Sequence, residues 1–476
     1  MPPHARLPND RIFSDLALCV MPEPSLRPGA LDLDPQLVDD ISVLVEAGQR
    51  GMVLNLAADL HPADLALLMG RLADTHAHKV FAWLPNERAS DTLLEISDSQ
   101  RRALLQDLRP DRLRDLVDAL DTDDAADVLS DMTDAQALNV LPDLEDTHDV
   151  AALLEYDEES AGGIMAREFV SVPPDWSLEH VIEAVRQHAA DIDDIYAVFI
   201  VGDNDQLQGV VSLKDLMLAP AERPVATVMD TDVITVSTDM DREEVARIME
   251  RYDLVSLPVV DATGGMVGRI TIDDVVDVIR EEAEEDIQIM SGGSGVEQPD
   301  DTVWAVSRGR LPWLLVGLFG AGLSGSVIGG FEVALEQAVV LATFIPIVTA
   351  MGGNAAVQSA AIAVQGLSSG DLWMGDIGRR ILKEMTVALL NGIILATLLC
   401  VTIAVLGLGN VHLLVATLGC TMLTVILLAT TNGALVPFAL KWLGIDPASA
   451  MGPFVTTLND IIGLSIYFMY ATLIYL

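Results

Sequence analysis

One stretch near the carboxyl end decides the fold: Met451-Gly-Pro-Phe-Val-Thr-Thr-Leu-Asn-Asp460-Ile-Ile-Gly-Leu-Ser-Ile-Tyr-Phe468. It is apolar enough for a membrane helix, yet it contains Asp460, and residues 447–476 include no Lys or Arg to neutralise that carboxylate. An ionised Asp near the middle of a bilayer costs roughly 3 kcal/mol or more, so it must face water or a cation. The alternative is a protonated Asp, buried and hydrogen-bonded to a neighbouring helix. We favour the aqueous path, because ionisable side chains in membrane segments are generally functional.

Four further apolar segments precede this one, and each is long enough to cross a hydrocarbon core of about 30 Å. The five predicted spans lie near residues 311–328, 337–364, 382–406, 412–440 and 448–470. Basic residues precede the first span, separate the second from the third and follow the fourth: Arg308, Arg310, Arg379, Arg380, Lys383 and Lys441. Because basic loops stay on the cytoplasmic side, we expect the preceding domains in the cytoplasm and the carboxyl terminus outside.

The second and fourth spans contain polar and helix-weakening residues. The second includes Pro346, Gly352, Gly353, Asn354 and Gln358, and the fourth includes Thr430-Thr-Asn432-Gly-Ala-Leu-Val-Pro437. Pro and Gly loosen a helix, and irregular backbone at membrane depth lines a cavity. Small residues also allow helices to pack closely, so both interpretations stay open.

Acidic residues dominate the charge of this 476-residue chain, whose formal net charge is −44. Almost all of that charge precedes Leu311, because the remainder has four basic and seven acidic residues. Such a charge argues against nucleic acid as a partner and suits divalent cations. Adaptation to high salt would produce the same scarcity of Lys and abundance of Asp. In the loop after the first span, Glu332 and Glu336 are interpreted as cation attractors at an outer mouth.

The cysteine, histidine and amino-terminal patterns are uninformative about catalysis. The three cysteines form no CxxC, and the eight histidines show no metal-ligand spacing. No long apolar run opens the chain, so no cleavable signal peptide is expected. With no nucleophile–base set and no phosphate-binding loop, we expect that the protein is not an enzyme.

The soluble part divides into three predicted regions. Residues 1–33 are rich in Pro and are expected to form a flexible tail. Residues 34–160 show short amphipathic stretches opened by Asp or Pro, which predicts an acidic, all-α helical-repeat domain. Residues 161–273 contain a repeat, in which Gly209-Val-Val-Ser212-Leu-Lys-Asp215 corresponds to Gly268-Arg-Ile-Thr271-Ile-Asp-Asp274.

This doubled helix–strand–turn–strand–helix pattern resembles a tandem CBS pair, an α/β fold. In that family the Ser or Thr and the Asp at these positions hold an adenosine ribose, so the resemblance implies an ATP site using Ser212, Asp215 and Thr271. The same residues also form capping boxes, in which side-chain oxygens close the amino end of a helix. We weigh the two interpretations equally.

The helix that follows Thr271 is predicted to be longer than the corresponding helix after Ser212 in the first repeat. Acidic residues recur along it as far as Asp286. Asp274, Asp277, Glu281 and Glu285 fall near one face, and like charges at this spacing repel unless a cation lies between them. A solvated acidic face is the alternative. Because this segment, 274–307, leads directly to the membrane part, we expect it to sense cations.

Several motifs together resemble the MgtE family of magnesium channels. They are Arg310-Leu-Pro-Trp, Gly330-Phe-Glu, Met351-Gly-Gly-Asn-Ala-Ala-Val-Gln-Ser, Lys383-Glu-Met, Gly433-Ala-Leu-Val-Pro-Phe and Thr457-Leu-Asn-Asp460-Ile-Ile-Gly. The resemblance implies the order of an acidic helical N domain, a CBS pair, a connecting "plug" helix and a five-helix transmembrane pore domain at 308–476. It also implies a homodimer in the lipid bilayer, with the pore on the two-fold axis. The acidity, the Ser291-Gly-Gly-Ser-Gly insert and Thr431-Asn432 depart from the family pattern.

The resemblance also implies roles for individual residues. The pore and its selectivity site would use Asp460, Asn354, Thr456 and the backbone carbonyl of Ala350. Regulatory Mg²⁺ would bind plug-helix and N-domain acids: Asp274, Asp277, Glu282, Glu285, Asp286, Asp123, Asp124 and Asp127. The expected function is a Mg²⁺ channel that cytosolic Mg²⁺ closes. The alternatives are a coupled divalent-cation carrier and a membrane-anchored adenine-nucleotide sensor without transport.

Overall fold

The computed structural model describes residues 35–189, 192, 194–292, 302–368, 372, 375, 377–450 and 452–476. The predicted tail, residues 1–33, lies outside the described residues, as does most of the Ser291-Gly-Gly-Ser-Gly insert. The chain divides into two compact units between Leu108 and Arg109, and each is described by itself.

The described residues of the first unit, from Pro35 onward, form six short helices. They are α1 (Pro35–Glu46), α2 (Arg50–Ala58), α3 (Pro62–Arg71), α4 (Asp74–Trp83), α5 (Asn86–Leu94) and α6 (Asp98–Gln106). Pro62 occupies the first turn of α3, where the missing N–H costs nothing, and His61 Nδ1 accepts a hydrogen bond from Ala63 N. Apolar residues on one stripe of each helix, such as Leu65, Leu68 and Phe81, are buried.

The second unit opens with four more helices: α7 (Pro110–Val117), α8 (Thr122–Ser130), α9 (Asp134–Val140) and α10 (Thr147–Leu153). Thr133 and Gln136 form a capping box at the start of α9. The prediction of an all-helical segment before the CBS repeat is confirmed.

The repeat folds into two three-stranded sheets of the same topology. The first has β1 (Ser171–Val172), β2 (Ala197–Val201) and β3 (Leu207–Ser212), with α11 (Leu178–His188) and α12 (Leu213–Leu218). The second has β4 (Val236–Ser237), β5 (Ser256–Val260) and β6 (Met266–Thr271), with α13 (Arg242–Tyr252) and α14 (Ile272–Met290). In both, the first pair of strands is parallel, the second is antiparallel, and the register shifts near the end of the middle strand. The α/β tandem is therefore confirmed.

Helix α14 is the long acidic helix expected from the sequence. Thr271 and Asp274 form its capping box, and it continues for 19 residues to the cap at Ser291. Its counterpart α12 has six residues, so the extension belongs to the second repeat alone.

Within the part of the chain that the structure describes, five helices are long and apolar enough to cross a membrane. They contain α15 (Val303–Gly330), α17 (Ile345–Ser368), α18 (Ile377–Leu406), α19 (Val411–Trp442) and α20 (Pro453–Tyr470), and the short helix α16 (Glu332–Gln337) follows α15. Five spans were predicted, so the fold class is confirmed. The first begins earlier than predicted, so that Arg308, Arg310 and Pro312 lie inside α15.

The helix breaks predicted in the second and fourth spans are wrong. Helix α17 is continuous from Ile345, because Pro346 lies in its first turn, and α19 runs unbroken through Thr430–Pro437. The glycines instead permit close packing, because a Cβ on Gly433 would collide with the carbonyl oxygen of Ala356. The small-residue interpretation therefore applies to both spans.

Candidate functional site

One face of α17 carries polar groups that no other part of the described chain covers. Ala350, Asn354 and Gln358 recur every four residues, so they share that face, and all three are exposed. The opposite face is packed, with Gly352, Ala356 and Ala360 among its buried residues.

Helix α20 extends this polar face. Thr456 is exposed and Asp460, one turn later, is half-buried. The two helices meet at Gly353, where an added Cβ would lie 3.6 Å from Thr456 Cγ2. Ala356 and Val455 also share a buried cluster with Ala429 of α19. We call these five residues of the adjoining helices α17 and α20 the polar face: Ala350, Asn354, Gln358, Thr456 and Asp460.

Asn459, the residue before Asp460, points into the interior of the helix bundle. Asn459 is 2% exposed, and its Nδ2 donates a hydrogen bond to the carbonyl oxygen of Val455 at 2.8 Å. Asn432 Nδ2 donates to Asn459 Oδ1 at 3.5 Å. The bundle therefore satisfies the amide of Asn459 internally, whereas the adjacent Asp460 is half-buried and lies one turn after the exposed Thr456.

Glu332 and Glu336, the two predicted outer-mouth acids, lie on α16 and are exposed. The structure therefore keeps them outside the apolar core of the membrane part, and their role at an outer mouth stays a prediction.

The far end of α14 touches the membrane helices. Ile289 and Met290 pack against the buried side chains of Ala360 and Val364 in α17 and of Ala448. Ala360 lies two residues beyond Gln358, so α14 contacts the same helix that carries the polar face.

Asp286 lies beside this contact. Burial, aided by the negative charge of Asp446, raises the pKa of Asp286 to about 6, and a hydrogen bond from Ser368 opposes the rise. Two acids of like charge therefore meet where α14 reaches the membrane part.

At the other end of α14, acids of two helices face each other. Asp123 and Asp124 lie in the first turn of α8, and Asp274 lies in the first turn of α14. Burial, followed by the charge of Asp274, raises the pKa of Asp124 to about 8 and that of Asp123 well above its usual range. Burial raises the pKa of Asp274 to about 6.

Hydrogen bonds hold α8 in this place despite the repulsion. The N–H and the hydroxyl of Thr122 both donate to the Glu168 carboxylate, at 3.1 and 2.8 Å. The N–H of Arg167 donates to Thr122 Oγ1 at 3.0 Å. Helix α8 is thus fastened to the segment that enters the first CBS repeat.

The other predicted sensing acids are distributed along α14. Asp277 pairs with Arg280 on the surface at 3.0 Å, and Glu282 pairs with Arg242. Asp127 lies one turn after Asp123 and adds to the charge around Asp124. Among the residues that the structure describes, no group of three or more His, Cys, Asp or Glu side chains is arranged to hold a metal ion. The regulatory metal sites therefore stay a prediction.

Comparison with known families follows the same order of segments along the chain. The model for the MgtE intracellular N domain matches residues 60–159, and the CBS domain model matches 161–222 and 225–281. The model described as MgtE, a divalent cation transporter, matches 345–470.

Full-length relatives decide the family. The magnesium transporter MgtE of Thermus thermophilus is 35% identical over 462 residues, which cover 93% of this chain and 99% of that protein. The chain belongs to the MgtE family. The MgtE magnesium transporter of Bacillus subtilis is 32% identical over 439 residues, covering 92% and 97% of the two chains. The solved cytosolic domain of the Mg²⁺ channel MgtE in complex with ATP aligns with 51% of this chain and 99% of its own, at 36% identity and a TM-score of 0.48.

In this MgtE-family chain, the residues predicted to contact a nucleotide serve as helix caps. Ser212 Oγ donates to Asp215 Oδ2 at 2.6 Å and accepts from Asp215 N at 3.2 Å. Thr271 Oγ1 donates to Asp274 Oδ2 at 2.7 Å. The capping interpretation accounts for all three contacts, and the nucleotide site stays a prediction.

Sequence reasoning missed Arg242, which neutralises acids from two segments of the MgtE-family fold. Its Nε lies 2.9 Å from Glu159 and 2.9 Å from Glu282, and its Nη1 lies 3.2 Å from Glu281. The signal was a single Arg directly after Asp241, at the start of a helix in an acidic domain. Only the fold shows that this position faces the middle of α14.

Sequence reasoning used Arg380 only for sidedness and gave no role to its pairing with Glu384 at the start of the third span. Arg380 and Glu384 are one turn apart on α18, and Glu384 is 7% exposed. Their i, i+4 spacing predicts a salt bridge, whereas their burial against α17 could be learned only from the packing of the helices.

Proposed function

We propose that the protein is a homodimeric Mg²⁺ channel whose pore is lined by the polar face of α17 and α20. The observation that carries this proposal is that the exposed Asn354 and the half-buried Asp460 lie on adjoining, otherwise apolar helices of membrane length. A polar face directed at lipid would be costly. A second copy related by a two-fold axis covers both faces and encloses an aqueous path between them.

The chemistry of that path suits a hydrated divalent ion. Mg²⁺ gives up its water reluctantly and prefers octahedral oxygen ligands. Two Asp460 carboxylates, one from each subunit, accept hydrogen bonds from the waters of one ion and balance its charge. Asn354, Thr456 and the carbonyl oxygen of Ala350 supply further polar contacts, and the exposed Glu332 and Glu336 attract cations to the outer mouth.

The cytosolic acids supply the gate. Without Mg²⁺, the carboxylates of Asp123, Asp124 and Asp274 repel, which favours separation of α8 from α14. Mg²⁺ bound between such acids favours the packed state, and because α14 contacts α17, packing closes the inner mouth. The ligand shifts the equilibrium only through its higher affinity for the packed state.

Sidedness follows from the basic residues. Arg308, Arg310, Arg379, Arg380, Lys383 and Lys441 place the helix ends that carry them on the cytoplasmic side with the N and CBS domains, which leaves the carboxyl terminus outside. The CBS motif also leads us to expect that an adenine nucleotide binds at the CBS pair. Such binding would affect the closing of the channel and not its conduction path.

Mg²⁺ entry into liposomes tests the conduction path. Asp460→Asn keeps the shape of the side chain and removes its charge, so we expect Mg²⁺ influx to fall by at least about tenfold. Ser465→Ala on the same helix is the matched control, since that hydroxyl donates only to the carbonyl oxygen of Ile461. A normal rate in Asp460→Asn would contradict the proposed pore.

The same assay separates the rival functions. Influx that requires a proton or sodium gradient would replace the channel with a coupled carrier. An intact, correctly folded protein that moves no Mg²⁺ under any gradient would support a membrane-anchored sensor.

A further inference from the structure

A buried polar contact joins α18 to the back of α17. Glu384 is 7% exposed, and its Oε1 lies 2.6 Å from Nη2 of Arg380, one turn earlier. Its second oxygen, Oε2, accepts a hydrogen bond from Ser359 Oγ at 3.0 Å, and Ser359 is 2% exposed. The carboxylate therefore uses one oxygen within its own helix and the other across the interface.

Ser359 directly follows Gln358, the last residue of the polar face. Successive residues of an α-helix are about 100° apart around its axis. The interface thus fixes the direction of Ser359 and, through the rigid helix, the direction in which Gln358 points.

Apolar packing continues the interface along α17. Ala388, one turn after Glu384, is buried with Met422 and Ile426 of α19, and Met351 and Ala355 of α17 pack against these three. These apolar contacts hold the helices together but allow small rotations, whereas a hydrogen bond to a charged acceptor is directional.

Stability alone does not explain a carboxylate at this place. A buried ion pair is often no more stabilising than well-packed apolar residues of similar volume. Here Glu384 provides a charged hydrogen-bond acceptor for the hydroxyl of Ser359 in α17. Arg380 neutralises the charge of that carboxylate, which lies behind the proposed pore wall.

We propose that Glu384 is a positioning residue for cation conduction. Through Ser359 it sets the rotation of α17, and so the direction in which Asn354 and Gln358 face the ion path. This inference rests on the proposed pore, but it concerns residues that lie outside that pore.

Single-channel recording of the full-length protein in planar bilayers tests the inference. Ser359→Ala removes only the hydroxyl, and we expect the Mg²⁺ conductance of an open channel to fall about threefold. The ratio of Mg²⁺ to Ca²⁺ permeability is expected to fall as well, because the polar face is displaced. Both readouts are independent of how much protein folds, so a loss of stability alone would move neither.

Thr386→Ala is the matched control, since that hydroxyl lies two residues after Glu384 and donates only to the carbonyl oxygen of Leu382 in its own helix. It should keep the conductance and the permeability ratio of the unaltered protein. Unchanged values in Ser359→Ala would overturn the positioning role while leaving the pore proposal intact. Absence of Mg²⁺ current in the unaltered protein would instead remove the pore itself.

Discussion

The first turns of α8 and α14 present carboxylates to each other, and the protein keeps them close through other contacts. Asp123, Asp124 and Asp274 all have raised pKa values because burial disfavours the charged form and their neighbours share its sign. Thr122 and Glu168 nevertheless hold α8 to the segment that enters the first CBS repeat. A divalent cation relieves the repulsion, and so does a proton.

The raised pKa values predict that stability against unfolding falls as pH rises. Carboxylates whose pKa is lowered by folding have the opposite effect. The pKa of Asp124 is about 8 in the folded protein and about 4 when unfolded, so the folded protein binds more protons between these values. Its stability should therefore fall as pH rises from about 4 to 8, by up to about 1.4 kcal/mol per pH unit for this one carboxyl group. Thermal unfolding of the chelator-treated full-length protein measures this.

Asp124→Asn mimics the protonated state and should flatten the pH profile. Exposed Asp134→Asn, in α9, should leave it unchanged. A profile that rises with pH in the unaltered protein would show that Asp124 ionises normally.

Helix α14 makes three successive contacts, and each has a different chemical character. Its first turn faces the acids of α8, its middle pairs with Arg242, and its end packs on α17 through Ile289 and Met290. Periodicity predicted the length and the acidic face of the helix, because both depend only on local sequence. The pairing with Arg242 was not predictable, since it joins residues 40 positions apart.

Arg242 is a positively charged side chain surrounded by acidic residues. Its replacement should change the Mg²⁺ concentration that closes the channel. In Arg242→Gln, Glu159, Glu281 and Glu282 lose their shared partner, so more Mg²⁺ is needed to pack the closed state. We expect the internal Mg²⁺ for half-closure to rise about threefold in patch recordings. Arg242→Lys keeps the charge but loses the fork geometry and should be intermediate. A lower requirement in Arg242→Gln would show that Arg242 competes with Mg²⁺.

At the scale of the whole molecule, composition and hydropathy predicted most of the architecture. The five spans, the CBS repeat and the helical domain all follow from local patterns, and all three are confirmed. The sequence could not show that Gly433 and Ala356 are in contact or that Ser359 meets Glu384. Those contacts depend on which helices become neighbours, and residue spacing alone does not encode this.

The net charge of −44 makes a second whole-molecule prediction. Repulsion among so many acids is screened by salt, so the melting temperature should rise by about 5 °C or more between 0.1 and 1 M KCl. Tetramethylammonium chloride is expected to act like KCl, because screening does not depend on the identity of the cation. A rise with KCl alone would indicate specific binding, and no rise would show that the acids are too far apart to interact.

The unbroken course of α14 has a mechanical consequence. Its 19 residues span about 28 Å at 1.5 Å per residue. If the helix pivots at its capped start as a rigid lever, a tilt of about 10° moves its tip by about 5 Å, roughly one helical pitch. A movement of less than about 1 Å between the carboxylates at the start of α14 would thus become a movement about as large as a hydrated ion at its other end. The helix itself transmits the movement, without a chain of side-chain rearrangements.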